Sequence, residues 1–172
     1  GAGGTRNIAG TLDNFGTIAA NSTDDTILSA SSIKLETGSQ FFTQIGPPGF
    51  SSYLNATNAN GLNIAGSTTI NLASTRALSS DGYSVGTYVL MHYNGALAGS
   101  LSNLAIGTSS SSYAYQFIND AANGNVDLDI VPASQQTWSG ATDANWNNAN
   151  WNSASPDSTH LAVFPSPVAA GR

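Results

Sequence analysis

Residues 62–72 constrain the fold of this chain more than any other segment, because their apolar and polar side chains alternate strictly. Leu62, Ile64 and Ile70 share one parity, whereas Asn63 and Thr69 lie on the other. A period of two is typical of a half-buried β-strand, so this segment is one long strand or a pair of strands. Elsewhere no stretch of ten residues has the spacing of an amphipathic helix. The sequence therefore predicts an all-β chain.

Several other segments have the same character. Each is flanked by Gly, Asn, Asp or Ser, which favour turns. They are residues 33–36, 85–93, 113–118 and 126–131.

The composition favours one all-β architecture over another. Ser, Thr, Asn and Gly make up 76 of the 172 residues. Small residues suit a β-solenoid, whose circuits stack at the spacing of neighbouring strands, and Asn side chains near turns can form hydrogen-bonded ladders there. We expect such a solenoid over residues 1–132 and a cap or arm over residues 133–172. A β-sandwich or jelly roll is the alternative.

The charge excludes several functions. The chain has 4 basic and 10 acidic residues, with a net charge of -6 and no cysteine. Four scattered cations cannot form the basic surface that nucleic acids or anionic membranes require. The sequence contains no run of 18 apolar residues, so it encodes no transmembrane helix. Without cysteine, the chain has no disulfide framework and no thiolate metal site.

An aromatic segment surrounds the sequence Gly-Pro-Pro-Gly at residues 46–49. It contains Phe41, Phe42, Phe50 and Tyr53. Proline cannot continue a sheet ladder, so we expect a protruding loop. Its aromatic side chains either contact a partner or form a lid on the flank of the solenoid.

No residues stand in a recognisable catalytic or metal-binding pattern. His92 and His160 lack the spacing of metal ligands, and we expect His92 to be part of a strand wall. Asp127 and Asp129 lie on one face of a predicted strand, as in a glycosidase carboxylate pair, but no cation stands near them in the sequence. We therefore predict no catalytic residue and no enzyme activity.

Calcium is the one cofactor that the sequence raises, at Asp120, Asp127 and Asp129. Their carboxylates lie on both sides of Gly124 in the sequence, as oxygen ligands do in a calcium-binding loop. However, Ala121 occupies the position of the second ligand of an EF-hand loop. A tight Asn-Gly turn between two strands is the favoured interpretation, with no metal or other cofactor bound.

The C-terminal segment contains all three tryptophans, Trp138, Trp146 and Trp151. They can stack on sugars, as in a carbohydrate-binding module, or cover the last strand edge of a solenoid. If they cover the edge of a neighbouring copy, the chain polymerises end to end.

Together, several segments resemble the autotransporter-associated β-strand repeat proteins. They are residues 35–41, 62–72, 88–101, 125–131, 137–151 and 163–164. The resemblance implies a secreted bacterial surface protein with a right-handed parallel β-helix and no catalytic residues to carry over. This chain shows one unit ending and one unit start, whereas the family's units typically come in numbers.

From these observations we expect a non-enzymatic structural or adhesive β-solenoid at the bacterial cell surface or outside the cell. It is expected to form a homo-oligomer or filament, with surface glycans as possible partners. Because it begins at Gly1 without a leader, we expect it to be a piece of a longer precursor. The alternatives are a carbohydrate-binding module and a polysaccharide-degrading β-helix enzyme.

Overall fold

The computed structural model describes residues 4–20, 26–46, 50–74, 85–107, 113–137 and 160–163. These residues form β-strands and one 3-10 helix, Leu101–Asn103, with no α-helix among them. The prediction of an all-β chain is therefore confirmed. In chain order the strands are β1 (Thr5–Asn14), β2 (Thr17–Ala20), β3 (Ile27–Leu35), β4 (Ser39–Ile45), β5 (Tyr53–Ala59), β6 (Leu62–Ile64), β7 (Thr68–Ser74), β8 (Gly86–Asn94), β9 (Ala98–Gly99), β10 (Leu104–Ile106), β11 (Tyr113–Asp120), β12 (Asn125–Pro132), β13 (Ser134–Thr137) and β14 (His160–Val163).

The described strands form three sheets. The large sheet has eight strands in the order β11-β12-β8-β5-β3-β6-β9, with β1 also paired to β3. A four-stranded sheet has the order β10-β7-β4-β2, and β13 pairs with β14. The chain divides into two compact units. One comprises Gly1–Ser110 and Tyr115–Ile130, and the other Ser111–Ala114 and Val131–Arg172.

Most strand pairs are parallel and join strands that are separated along the chain by a strand of the other sheet. In the large sheet, β3 pairs in parallel with β1, β5 and β6. In turn, β5 pairs in parallel with β8, and β6 pairs in parallel with β9. In the four-stranded sheet, β4 pairs in parallel with β2 and β7, and β7 pairs with β10. From β1 to β10 the chain thus alternates between these two sheets.

The parallel register stacks similar apolar side chains in columns. Ile18, Phe41 and Ile70 are register partners on β2, β4 and β7, and all three are buried. Ile33 and Leu62 form another buried pair, on β3 and β6. Each such burial contributes about 1.5 to 3 kcal/mol, so these columns form the core.

The alternating segment at residues 62–72 turns a corner without losing its period. Leu62 and Ile64 belong to β6 of the large sheet, whereas Ile70 and Leu72 belong to β7 of the four-stranded sheet. Every even-numbered residue from 62 to 72 is buried, including Gly66 at the corner. The predicted period of two is confirmed, and the segment forms a pair of strands instead of one long strand.

The first unit also contains the hairpin that the predicted Asn-Gly turn implies, and an antiparallel pairing of β12 with β8 that the sequence analysis did not predict. β11 and β12 are joined by a turn at residues 121–124, and β12 pairs antiparallel with β8. The register shifts between Val126 and Asp127, whose partners are Met91 and Val89. β12 therefore covers the edge of β8 that faces away from β5.

Asparagine side chains at the corners bind the backbone of a neighbouring corner. The Asn60 Oδ1 accepts a hydrogen bond of 2.7 Å from the backbone N–H of Ala96. The Asn94 Nδ2 donates to the carbonyl oxygen of Thr57 over 2.8 Å. Each of these two side chains thus gives a backbone group at a neighbouring corner its hydrogen-bond partner.

Candidate functional site

A row of five polar side chains crosses the large sheet, and we call it the polar row. It consists of Asn7, Ser29, Asn55, His92 and Asn125, on β1, β3, β5, β8 and β12. Each residue is the register partner of the next, although the five are spaced unevenly along the sequence. The sheet thus brings together side chains from four parallel strands and one antiparallel strand.

Two hydrogen bonds join neighbours within the polar row. The Asn55 Nδ2 donates to the Ser29 Oγ over 3.1 Å. The His92 Nδ1 lies 2.9 Å from the Asn125 Oδ1, and because that oxygen accepts, Nδ1 is the donor in this pair. These contacts fix the orientation of both amides and of the imidazole.

The polar row lies on the face of the sheet opposite the core. Leu54 and Ala56, which flank Asn55 on β5, are fully buried. Met91 and Tyr93 flank His92 on β8 in the same way. Because successive side chains of a strand point to opposite faces, Asn55 and His92 point away from these core residues. As the sequence predicts, His92 is part of a strand wall.

Of the four aromatic residues proposed as contacts, Tyr53 lies beside the polar row. It is half-buried and two residues before Asn55 on β5, so both side chains project from the same face. Its register partner is Ile27 on β3. An aromatic ring and an aliphatic side chain therefore border the polar row near its centre.

The other three aromatic residues have different environments, and the expected loop is shorter than predicted. Phe41 and Phe42 belong to β4 instead of a loop. Phe41 is 0% exposed in the column with Ile18 and Ile70, so it is a core residue and cannot contact a partner. Phe42 is half-buried on the other face, and Phe50 is 54% exposed.

Hydrogen bonds anchor the residues on both sides of the Gly-Pro-Pro-Gly sequence. Gly46 donates its backbone N–H to the Phe50 carbonyl oxygen over 2.9 Å. The Ser51 Oγ donates to the Val89 carbonyl oxygen over 2.6 Å, and the Tyr88 hydroxyl donates to the Gly46 carbonyl oxygen over 3.2 Å. The described ends of this segment are thus tied to β8, whereas residues 47–49 lie outside the described part of the chain.

Asp127 is the most unusual titratable residue that the structure describes. It lies on β12, only 7% exposed, and its Oδ1 is buried without a hydrogen-bond partner. Burial, followed by the nearby charge of Asp120, raises the pKa of the Asp127 carboxyl. A buried carboxylate without a partner for one oxygen is costly, which explains why the pKa of Asp127 lies above the ordinary value of an aspartate.

The other two acidic residues named for calcium bind neighbouring groups. The Asp120 carboxylate accepts hydrogen bonds from the Asn123 Nδ2 over 2.7 Å and from the Asn123 backbone N–H over 3.3 Å. The Asp129 Oδ1 accepts from the Thr87 Oγ1 over 3.0 Å. Asn123 and Gly124 thus form the predicted turn between β11 and β12. Within the described ranges, no group of three Asp, Glu, His or Cys side chains is placed to hold a metal ion.

Several candidate residues fall outside these observations. Trp138, Trp146 and Trp151, expected to cap an edge or stack on sugars, lie outside the described residues. His160 begins β14, of which only the backbone is described. None of the helices in the described part of the chain is long and apolar enough to cross a membrane.

No protein-family model, curated protein or solved structure matches this chain. The resemblance to autotransporter-associated repeats therefore stays a prediction from the sequence.

The sequence analysis missed the polar row as a unit. Asn55 lies 26 residues after Ser29, and Asn125 lies 33 residues after His92. Because the number of residues between neighbouring members of the polar row varies, no sequence period connects these positions. Of the five residues, only His92 lies in a segment that the sequence predicts as a strand, so the predicted strands do not reveal the polar row.

Proposed function

We propose that this chain is a parallel β-solenoid and serves as a structural segment of a bacterial surface protein. The observation that carries this proposal is the parallel pairing of neighbouring strands in two sheets between which the chain alternates. In a solenoid each circuit contacts its neighbours, so a regular stack makes a stiff rod or spacer. A jelly roll, by contrast, is built from antiparallel pairs.

The distribution of charge supports stacking. Each position of a stacked circuit lies next to the corresponding position of the adjacent circuit, where like charges repel. Asp13 and Lys34 are register partners with opposite charges, and the next position in that column is the neutral Asn63. The Lys34 Nζ also forms an ion pair with Glu36, and this hydrogen bond raises the pKa of Lys34. The low charge of the chain therefore suits a stack of circuits.

Spin labels can test the stack directly, because the chain contains no cysteine that would compete with introduced ones. Gln40 and Thr69 are register partners in adjacent strands of the four-stranded sheet. Thr17 and Ala105 occupy the same column on β2 and β10, three strand spacings apart, or about 14 Å between backbones.

Double cysteine variants at these pairs should give graded dipolar broadening in electron paramagnetic resonance spectra. We expect strong broadening for labels at Gln40 and Thr69 and weaker broadening for Thr17 and Ala105. Single-labelled variants provide the unbroadened reference. Equal, negligible broadening in both pairs would contradict the stack and with it the proposed function. Labelling of intact producing cells with an antibody against the folded chain tests the surface location separately.

A further inference from the structure

We propose that the polar row and Tyr53 form a binding site for a neutral carbohydrate chain that lies across the strands of the large sheet. The proposal goes beyond a structural role. It requires only the pairing of β1, β3, β5, β8 and β12, and it holds wherever the protein is located.

The hydrogen bonds within the polar row use only some donor and acceptor atoms of its side chains, and the remaining ones can bind the hydroxyl groups of a sugar. With its Nδ2 bound to Ser29, Asn55 keeps its Oδ1 as an acceptor. With Nδ1 donating to Asn125, the neutral His92 keeps Nε2 as an acceptor, and Asn125 keeps its Nδ2 as a donor. Because neighbouring residues already orient these groups, binding costs little side-chain entropy.

The geometry suits an extended ligand. Neighbouring strands lie about 4.8 Å apart, so the five positions span about 19 Å. Ser29 is buried and supports Asn55 from β3, so a chain of several sugar units crossing the strands would meet Asn7, Asn55, His92 and Asn125. Tyr53, half-buried beside Asn55, provides an aromatic ring against which the apolar face of a sugar can pack.

Charge determines which carbohydrate fits. None of the five residues of the polar row carries a charge when His92 is neutral, and the chain as a whole has a net charge of -6. A polyanion such as an acidic polysaccharide or a nucleic acid gains no ion pair there and is repelled by the chain. A neutral polysaccharide incurs no such cost, since its hydroxyls both donate and accept.

Native electrophoresis in gels containing soluble polysaccharides tests the site in the intact chain. The neutral probes are a mixed-linkage β-glucan, a galactomannan and dextran, and the anionic probe is alginate. We expect at least one neutral probe to retard the chain and alginate to leave its mobility unchanged.

The double variant Tyr53→Ala/His92→Ala should bind at least tenfold more weakly, and His92→Gln, which keeps a hydrogen-bonding group, should retain more affinity than His92→Ala. The matched control Gln40→Ala/Thr69→Ala, on the four-stranded sheet, should bind like the parent. Circular dichroism and the thermal midpoint show whether each variant is folded. Two outcomes overturn the site: no neutral probe retards the parent, or a folded Tyr53→Ala/His92→Ala variant is retarded equally. Neither alters the spin-label test of the solenoid.

Discussion

At the scale of single residues, Asp127 is the side chain whose environment fits its chemistry least. Its Oδ1 is buried without a partner, a situation that costs about 1 to 3 kcal/mol for a polar group. Burial raises the pKa of Asp127 in the folded chain above the ordinary value of an aspartate, about 3.9. Between these two pKa values the folded chain binds more protons than the unfolded chain. The contribution of Asp127 to stability is therefore most favourable at acid pH and declines as pH rises through this window.

Replacing Asp127 with Asn should stabilise the chain at pH 7 by about 1 kcal/mol, because it removes a buried charge without changing the shape of the side chain. The gain should shrink towards zero as the pH falls below the ordinary Asp value. Urea unfolding of parent and variant from acid to neutral pH measures both effects. Asp129→Asn is the matched control, two residues away on the same strand and bonded to Thr87. A pH-independent gain, or an equal gain for the control, would argue against this account.

At the scale of strands and corners, close stacking requires glycine at Gly66. A Cβ added at Gly66 would collide with the backbone nitrogen and the Oγ1 of Thr37 in the neighbouring corner. The two corners are also joined by the hydrogen bond of 2.8 Å from the Gly38 N–H to the Ser67 carbonyl oxygen. Because the obstacle includes backbone, no rotation of a side chain can relieve it.

Gly66→Ala should therefore destabilise the chain by about 1 to 3 kcal/mol, the usual cost of overpacking. Gly16→Ala, at the corner between β1 and β2, is the matched control, since a Cβ there meets nothing within 4 Å. Denaturant midpoints of both variants provide the comparison. If Gly66→Ala were as stable as Gly16→Ala, the corners could not be stacked as described.

The strands show why local sequence predicts some elements and not others. Residues 62–72 were predicted well because one face of β6 and β7 is buried throughout, which imposes a period of two. Phe41 and Phe42 were assigned to a loop because the nearby prolines dominated the local signal, yet β4 continues to Ile45. On β8, the buried neighbours Leu90 and Met91 break the alternation where the register with β12 shifts. That irregularity, like the polar row, depends on a strand far away in the sequence.

At the scale of the whole first unit, the two ends of the large sheet are unequal. Among the described strands, the ten-residue β1 pairs only with β3, so its other edge is open. At the other end, β12 covers β8 and is followed by β11, which pairs only with β12 among the described strands. A head-to-tail filament built through this sheet would join β1 of one copy to the hairpin strand β11 of the next, whereas a closed dimer joins β1 to β1, and closed two-fold dimers are the commonest oligomers. The register shift between Ile8 and Thr11 interrupts β1 and should keep that contact weak.

We therefore expect sedimentation velocity to show a concentration-dependent equilibrium between monomer and dimer, without filaments. Thr11→Lys should lower the dimer fraction, because a symmetric contact through β1 brings the two introduced charges together. Ala105→Lys, exposed on the short strand β10, adds the same charge elsewhere and should leave the equilibrium unchanged. Filaments of the intact chain would contradict this expectation. Their loss on deletion of residues 133–172 would assign the polymer contact to the tryptophan-containing segment, whereas their persistence would assign it to the outer strands β1 and β11.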